Sequence, residues 1–266
     1  MNPFEYVAPS DLREASSLLA ARWGQTEILA GGTDLLTSLK QGITQPKRLV
    51  SLKNIPELKR IQVKKNTVRI GAMVTLKELA ANPTVQEEFP SLITAIEGIR
   101  SAQIVNVGTA AGDLCQRPRC WYFRNGFGLL AEDNGESLAR TGDNRYHAVF
   151  GNSGRAVFVS ASSLAPALIA LQAEVSIVGA AGREREINVG NLFQTPTNVD
   201  EREVALRANE IVTEIKIPRE NMQNATYEIR HRHGLDWPYA TASVALKIRS
   251  GIAREASVVL GHVAPT

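Results

Sequence analysis

The sequence predicts a protein of mixed helices and strands that is divided into two domains or subdomains. Its 266 residues exceed the usual size of about 100–200 residues for a single domain. The first 56 residues alternate between helix and strand patterns in a compact βαβ-like unit. The residues from Thr226 onward instead predict the start of an antiparallel sheet.

Composition and charge exclude several classes of function. Hydrophobic residues make up 44% and charged residues 21%, which is typical of globular proteins with a sizeable core. The net charge is +3 and no basic cluster is present, so a nucleic-acid partner is not expected. No apolar run approaches the roughly 18–20 residues of a membrane span, and the first residues lack a secretory pattern. Two cysteines five positions apart suit a reducing cytoplasm.

The first unit is predicted from helix caps and apolar spacing. Ser10 is a candidate N-cap for a helix over residues 11–22, and Thr33 or Asp34 can cap a second helix that runs to Lys40. Strands are predicted over residues 27–30 and 48–52, and the glycine pair Gly31-Gly32 joins the first of them to the second helix.

The rest of the chain predicts hairpins, short helices and one long irregular segment. Thr75 and Glu78 have the spacing of a capping box, and a second glycine turn follows at residues 107–113. Residues 115–154 lose periodicity and predict a long ordered loop, which we call the inserted loop. The remaining predicted elements are a hairpin over 61–63 and 67–70, helices over 90–100 and 163–173, and strands over 156–159, 174–178, 184–187 and 210–217.

The two glycine turns admit two interpretations. Glycine allows positive φ angles and close approach of the backbone, which a bound phosphate requires. The sequence Leu29-Ala30-Gly31-Gly32-Thr33-Asp34-Leu35 has the order strand, glycine pair, helix that suits this role, and so does the turn from Gly108 to Gly112. Each turn is equally compatible with a plain tight connection, because neither matches a Walker loop or the G-x-G-x-x-G pattern.

Other side chains give no catalytic or metal-binding assignment. His147, His231 and His233 lack the spacing of a metal site and suit structural roles. Three arginines in the inserted loop, Arg117, Arg119 and Arg124, can contact a phosphate or a partner, but salt bridges within the loop are the commoner outcome. The aromatic run over residues 121–123 is expected to form the core of this loop rather than a stacking platform.

Five ordered motifs resemble a known family. They are AGGTDLL at 30–36, LVSLKNIPELKRI at 49–61, GAMVTLKELA at 71–80, SAQIVNVGTAAGDL at 101–114 and EIVTEIKIP at 210–218. Together they resemble the FAD-binding medium subunit of the molybdenum hydroxylases, which include xanthine dehydrogenase, aldehyde oxidoreductase and carbon monoxide dehydrogenase. The resemblance covers nearly the whole chain.

The resemblance implies an α+β fold of the vanillyl-alcohol-oxidase and p-cresol-methylhydroxylase type, in which two subdomains hold FAD between them. It implies subdomains at residues 1–56 and 57–220, the latter containing the inserted loop, and a partial C-terminal α+β domain at 223–266. The residues that it assigns to the FAD site are Leu29, Ala30, Gly31, Gly32, Thr33, Asp34, Leu35, Gln103, Asn106, Gly108, Thr109, Gly112, Asp113 and Ser163.

The inserted loop resembles a narrower branch of aldehyde oxidoreductases, whose members can carry a [4Fe–4S] cluster there. Four thiolates are the usual ligands of such a cluster, but this chain has only Cys115 and Cys120. We therefore expect no cluster and no bound metal, and we expect Cys120 to be a buried thiol or an incidental surface residue.

Four positions depart from the family pattern around FAD. Val105 replaces an arginine, Ala111 a glycine, Asp113 an asparagine and Ser163 an aspartate. Alanine at a glycine position costs little only where φ is negative. A carboxylate at Asp113 is expected to repel phosphates unless its oxygens accept from backbone amides.

The resemblance implies an oxidoreductase subunit with FAD as cofactor and no catalytic acid or base of its own. It would pass electrons from a [2Fe–2S] small subunit, which receives them from a molybdopterin-containing large subunit acting on an aldehyde or purine, to an external acceptor. The chain would then work in a hetero-oligomer. The alternatives are a flavin-less scaffold with the same fold, favoured by the four departures, and a self-sufficient flavin oxidase.

Overall fold

The structure is a computed structural model of the chain, and it describes residues 1–232 and 234–266. His233, one of the three histidines considered above, lies outside the described residues. In the part of the chain that the structure describes, no helix is both long and apolar enough to cross a bilayer.

A three-stranded parallel sheet forms the first unit. Its elements are β1 (Glu5–Val7), α1 (Leu12–Ser17), β2 (Thr26–Leu29), α2 (Leu35–Lys40) and β3 (Arg48–Ser51). The strand order is β1-β3-β2, so α1 and α2 make the crossovers that parallel pairing requires. The sequence does not predict β1, because three residues are too few to show an alternating pattern.

The first helix differs from its prediction. Its N-cap is Asp11 and not Ser10, because Oδ1 of Asp11 accepts from the amide of Glu14 at 2.8 Å. The helix ends at Ser17, well before residue 22. The chain turns there to reach β2, and the amide of Ala20 donates to the hydroxyl of Thr26 at 3.0 Å.

The second unit contains a five-stranded antiparallel sheet and most of the helices. Its first elements are β4 (Ile61–Val63), β5 (Thr67–Gly71), α3 (Leu76–Ala80), α4 (Pro83–Glu88), α5 (Pro90–Gly98), α6 (Ala102–Val107) and α7 (Ala110–Leu114). The inserted loop holds α8 (Trp121–Arg124), the small hairpin of β6 (Glu132–Asp133) and β7 (Glu136–Ser137), and α9 (Leu138–Thr141). The unit ends with α10 (Ala165–Ala170), β8 (Glu174–Val178), β9 (Glu184–Asn188) and β10 (Ile211–Pro218).

The order of this second sheet is β4-β5-β10-β8-β9, so the last strand of the unit lies at its centre. The predicted hairpin is confirmed as β4 and β5, and the predicted capping box of Thr75 and Glu78 is present at the start of α3. The strand predicted over residues 156–159 is wrong. Ala156, Val157 and Phe158 are buried against the inserted loop without a partner strand, so their apolar character reflects packing.

A third sheet closes the described chain. It consists of β11 (Gln223–Ile229), β12 (Ala240–Arg249) and β13 (Ile252–Gly261), all antiparallel. Its inner face packs against α5 and α10 and buries the hydroxyl pair of Thr226 and Ser243. The outer face exposes apolar side chains, namely Tyr227, Ile229, Val258 and Leu260. Each sheet lies within one of the three segments named above, and the division at 1–56, 57–220 and 223–266 stays a proposal.

Candidate functional site

The two glycine turns touch each other through their backbones. A Cβ atom added to Gly31 would overlap the carbonyl oxygen of Val107 and lie 3.1 Å from Cα of Gly108. Gly31 leads out of β2 in the first unit, and Gly108 lies between α6 and α7 of the second. Only glycine at position 31 permits this approach, so the turns mark the seam between the two units.

Gly32 shapes the first turn. Its φ angle is +81°, in the left-handed region that favours glycine, and its carbonyl oxygen accepts from the amide of Leu36 at 3.0 Å. The chain therefore reverses directly from β2 into α2. Asp34 occupies the N-cap position of α2, but its side chain makes no capping hydrogen bond.

The second turn is built from two short helices and not from a single loop. The amide of Gly108 donates to the carbonyl oxygen of Ile104 at 2.6 Å and ends α6. The hydroxyl of Thr109 then accepts from the amide of Gly112 at 3.2 Å and caps α7. A Cβ atom on Gly112 would lie 2.7 Å from that hydroxyl, so glycine at 112 lets Thr109 cap the helix.

Two cavities meet at these turns, and together we call them the groove. The residues that line both are Thr33, Asp34, Thr109, Gly112 and Gln116. The first cavity runs toward apolar side chains of both units, namely Ile28, Ile43, Leu52, Met73, Val204 and Leu206. The second runs toward α6 and the segment before β12, and it is lined by Ile99, Ile104, Ser163, Leu235 and Trp237 among others.

Asp34 connects the first turn to the inserted loop. Its Oδ1 accepts from Arg119 at 2.6 Å and from Arg124 at 2.9 Å, and its Oδ2 accepts from the amide of Arg117 at 2.9 Å. Burial acts to raise the pKa of Asp34, but the two guanidinium groups and this amide hold it below the ordinary 3.8. The carboxylate is therefore charged at neutral pH and fixes the loop to the groove.

The arginines pair outside their own loop, contrary to the sequence expectation. Arg119 and Arg124 bind Asp34, and Nε of Arg117 lies 2.5 Å from the buried carboxylate of Glu203. The aromatic residues agree with the expectation more closely. Phe123 is buried beneath the guanidinium of Arg117, whose central carbon lies 4.8 Å from the ring centroid.

The side chain of Asp113 accepts hydrogen bonds from the segment that precedes α10. Its Oδ2 accepts from the hydroxyl of Ser162 at 2.6 Å and from the amide of Leu164 at 2.9 Å, while its Oδ1 accepts from Gln116 and from the amide of Ser163. Burial raises the pKa of Asp113 above 3.8, although these donors act against the rise. The carboxylate therefore holds the segment before α10 next to the second turn.

The groove gathers most, but not all, of the residues assigned by the resemblance. Those that line it are Ala30, Gly31, Gly32, Thr33, Asp34, Leu35, Gly108, Thr109, Gly112, Asp113 and Ser163. Leu29 is buried beneath the turn, and Gln103 and Asn106 are exposed on α6, outside the lining of both cavities. Gln116 and Trp237 also line the groove, although the resemblance does not assign them to the FAD site.

Comparison with known proteins gives the family. The model for the FAD binding domain in molybdopterin dehydrogenase matches residues 2–220. The chain belongs to this family. It is 30% identical to the aldehyde oxidoreductase FAD-binding subunit PaoB of Escherichia coli K12, over 99% of this chain and 82% of that protein. It is 29% identical to the carbon monoxide dehydrogenase medium chain of Hydrogenophaga pseudoflava, over 99% of this chain and 76% of that one.

Solved structures agree with this membership. A carbon monoxide dehydrogenase from Hydrogenophaga pseudoflava that lacks the Mo-pyranopterin moiety superposes with a TM-score of 0.74 at 26% identity, covering 100% of this chain and 76% of that one. Quinoline 2-oxidoreductase from Pseudomonas putida 86 shares the fold, with a TM-score of 0.73 at 23% identity over 99% of this chain and 75% of the other. The α+β fold is that of the FAD-binding subunits of molybdopterin dehydrogenases, and the chain is an oxidoreductase subunit of this class with FAD as its cofactor.

The residues present at the groove fit FAD. Gly31 lets the first turn lie directly against the backbone of Val107 and Gly108, and the buried Nε of Arg119 has no hydrogen-bond partner. Ala111 lies in α7 at a negative φ, so alanine there causes no backbone strain. The oxygens of Asp113 accept from backbone amides, which is the condition under which a carboxylate is tolerated there. Val105 packs against the main core.

The inserted loop has an apolar interior around its second cysteine. Cys120 packs against two small clusters of buried side chains, and its Sγ lies 3.1 Å from Nε2 of His147. Burial raises the pKa of Cys120, and it raises the pKa of Cys115 to about 12. Among the described residues, no group of three or more histidine, cysteine or acidic side chains is arranged to hold a metal ion.

Proposed function

We propose that this chain is the electron-transfer subunit of a molybdopterin-dependent hydroxylase, with FAD held in the groove between its first two units. The observation that carries the proposal is the backbone contact of Gly31 with the second turn, where both cavities meet. When bound, FAD supplies the reversible redox chemistry, and the protein supplies its position and electrostatic surroundings.

The chain's own residues would bind and orient the cofactor. The turn from Ala30 to Leu35 would hold the diphosphate from one side, and the turn from Gly108 to Gly112 would hold it from the other. Glycine at these positions lets backbone amides approach a phosphate closely. Apolar side chains farther along both cavities would exclude water from the planar rings of FAD.

The electron path and the partners belong to the same proposal. A [2Fe–2S] small subunit would deliver electrons that a molybdopterin-containing large subunit takes from an aldehyde or purine, and an external acceptor would receive them. Relatives described as a medium chain and as an FAD-binding subunit support a hetero-oligomer. The exposed apolar face of the third sheet, where Tyr227 is 73% and Val258 64% exposed, offers a contact surface.

The free thiols of Cys115 and Cys120 suit a reducing cytoplasm.

A visible absorption spectrum of the purified chain, recorded before and after addition of FAD, tests the proposal. We expect flavin absorption that remains with the protein through gel filtration, at one FAD per chain. A chain that stays colourless after incubation with FAD, while folded by circular dichroism, would instead support the flavin-less scaffold. The Gly31→Ala variant is the matched negative control, because its added Cβ would push the two turns apart.

A further inference from the structure

Arg119 of the inserted loop lies at the junction of the two glycine turns. One guanidinium nitrogen donates to Oδ1 of Asp34 in the first turn at 2.6 Å. The other donates to Oε1 of Gln116 at 2.6 Å, and Nε2 of Gln116 donates to Asp113 in the second turn at 2.9 Å. A single chain of hydrogen bonds therefore links the turns through two residues of the loop.

The guanidinium of Arg119 retains an unused donor. Its Nε is buried and has no hydrogen-bond partner, although buried nitrogens of this kind are normally paired. The side chain lines the second cavity beside Thr33 and Gly112, and its central carbon lies 4.9 Å from the ring centroid of Trp237. The charge is thus held rigidly against the part of the groove where both turns meet.

Other arginines near the groove are placed differently. Arg124 shares Oδ1 of Asp34 with Arg119, but it turns toward the hydroxyl of Ser38 and lines neither cavity of the groove. Arg230 lines the second cavity but is paired with Glu228. Among the described arginines, Arg119 is the one whose guanidinium bonds to the first turn while its side chain lines the second cavity; Arg117 bonds Asp34 only through its backbone amide.

We propose that Arg119 contacts the diphosphate of the bound dinucleotide, so that the inserted loop contributes a third wall to the FAD site. This inference rests on the proposed function. A guanidinium matches phosphate oxygens in geometry as well as charge, and the second turn, residues 107–113, contains no lysine or arginine of its own. The loop then has a binding role that requires no metal.

Binding titrations with FAD and with riboflavin, which lacks both phosphates, separate this role from a structural one. For Arg119→Met we expect the Kd for FAD to rise about 10- to 100-fold, as for loss of a charge-assisted hydrogen bond, with the Kd for riboflavin unchanged. For the matched control Arg124→Met, which removes the other guanidinium on Asp34, we expect both Kd values to stay at the wild-type level.

Four results would overturn the inference. FAD binding by Arg119→Met at wild-type affinity would do so while leaving the proposed function intact. An equal loss of FAD affinity in Arg124→Met, or an equal loss of riboflavin affinity in Arg119→Met, would mean that Arg119 only shapes the turns. A wild-type chain that binds no FAD would contradict the proposed function and the inference together. If Arg119→Met fails to fold, Arg119→Gln, which keeps a donor for Asp34 without the charge, makes the same comparison.

Discussion

Single residues set the spacing of the two glycine turns. Gly31 has no positive φ, so it is required by close approach and not by its backbone conformation. Gly24 presents the opposite case, with a φ of +81° and no atom within 4 Å of an added Cβ. Substitution of alanine at each position therefore distinguishes the effect of crowding, at Gly31, from the effect of backbone strain, at Gly24.

The Gly31→Ala substitution is expected to lower the free energy of unfolding by about 1–3 kcal/mol through overpacking and to abolish FAD retention. Gly24→Ala is the control, with a cost of about 1–2 kcal/mol from its left-handed conformation and unchanged FAD retention. Urea unfolding and flavin content after gel filtration measure both effects. Wild-type flavin content in Gly31→Ala would contradict the assignment of the turns.

Asp34 gives the site a pH dependence. Its folded-state pKa lies below 3.8, so the stability that it contributes is complete above about pH 4 and is lost as the pH falls through the folded-state value. We expect Asp34→Asn to lower the free energy of unfolding by roughly 1–3 kcal/mol at pH 6. The difference from the wild type should shrink toward pH 3. Urea titrations at the two pH values test this, and a difference that grows on acidification would show that the sign is wrong.

Among the elements, the inserted loop is held in place by charge and aromatic contacts more than by regular structure. Arg119 and Arg124 join it to the first unit, and Arg117 joins it to Glu203 ahead of β10. Its apolar interior surrounds Cys120. These contacts give the loop a defined place beside the groove without any metal ligation.

We expect the anaerobically purified chain to contain no stoichiometric iron or sulfide. Two thiols cannot supply the four ligands that a [4Fe–4S] cluster usually takes. Iron and sulfide analysis of the full chain is the measurement, with a cluster-containing ferredoxin as the positive control. About four irons and four sulfides per chain would mean that ligands from a second chain or from other residue types complete the set.

Patterns within a few neighbouring residues correctly predicted several short elements of the fold. The capping box of Thr75, the hairpin of β4 and β5, and the glycine pair beside α2 follow from spacing within a few residues. The partners of Asp34 did not follow, because Arg119 lies 85 positions away and no local pattern specifies such a contact. The strand predicted at 156–159 failed for a different reason, since burial against a loop and pairing in a sheet both select apolar residues.

The groove lies where the first and second units meet, so each unit supplies only part of its lining. The parallel sheet supplies the first turn, the helices beside the antiparallel sheet supply the second, and the inserted loop reaches across both. The apolar core is also shared, because it extends from α1 and β3 to α10 and includes Ala245 of the third sheet. Because FAD would bind the folded chain and not the unfolded chain, its binding should raise the free energy of unfolding.

Among its described residues, the single chain lacks groups that could oxidise a substrate without its partners. We expect the FAD-loaded single chain to be inert toward aldehydes and purines, while its flavin still exchanges electrons with dyes. The acids that line both turns are committed to structural bonds, Asp34 to two arginines and Asp113 to the start of α10, so neither is free to act as a general base. Burial also keeps the thiol of Cys115 protonated, with a pKa of about 12. Steady-state assays with an aldehyde, a purine and a dye as acceptor are the measurement, and dye reduction by chemically reduced protein is the positive control. Turnover of either substrate at about 1–10³ s⁻¹, the range of ordinary enzymes, would refute the subunit assignment and favour a self-sufficient flavin oxidase.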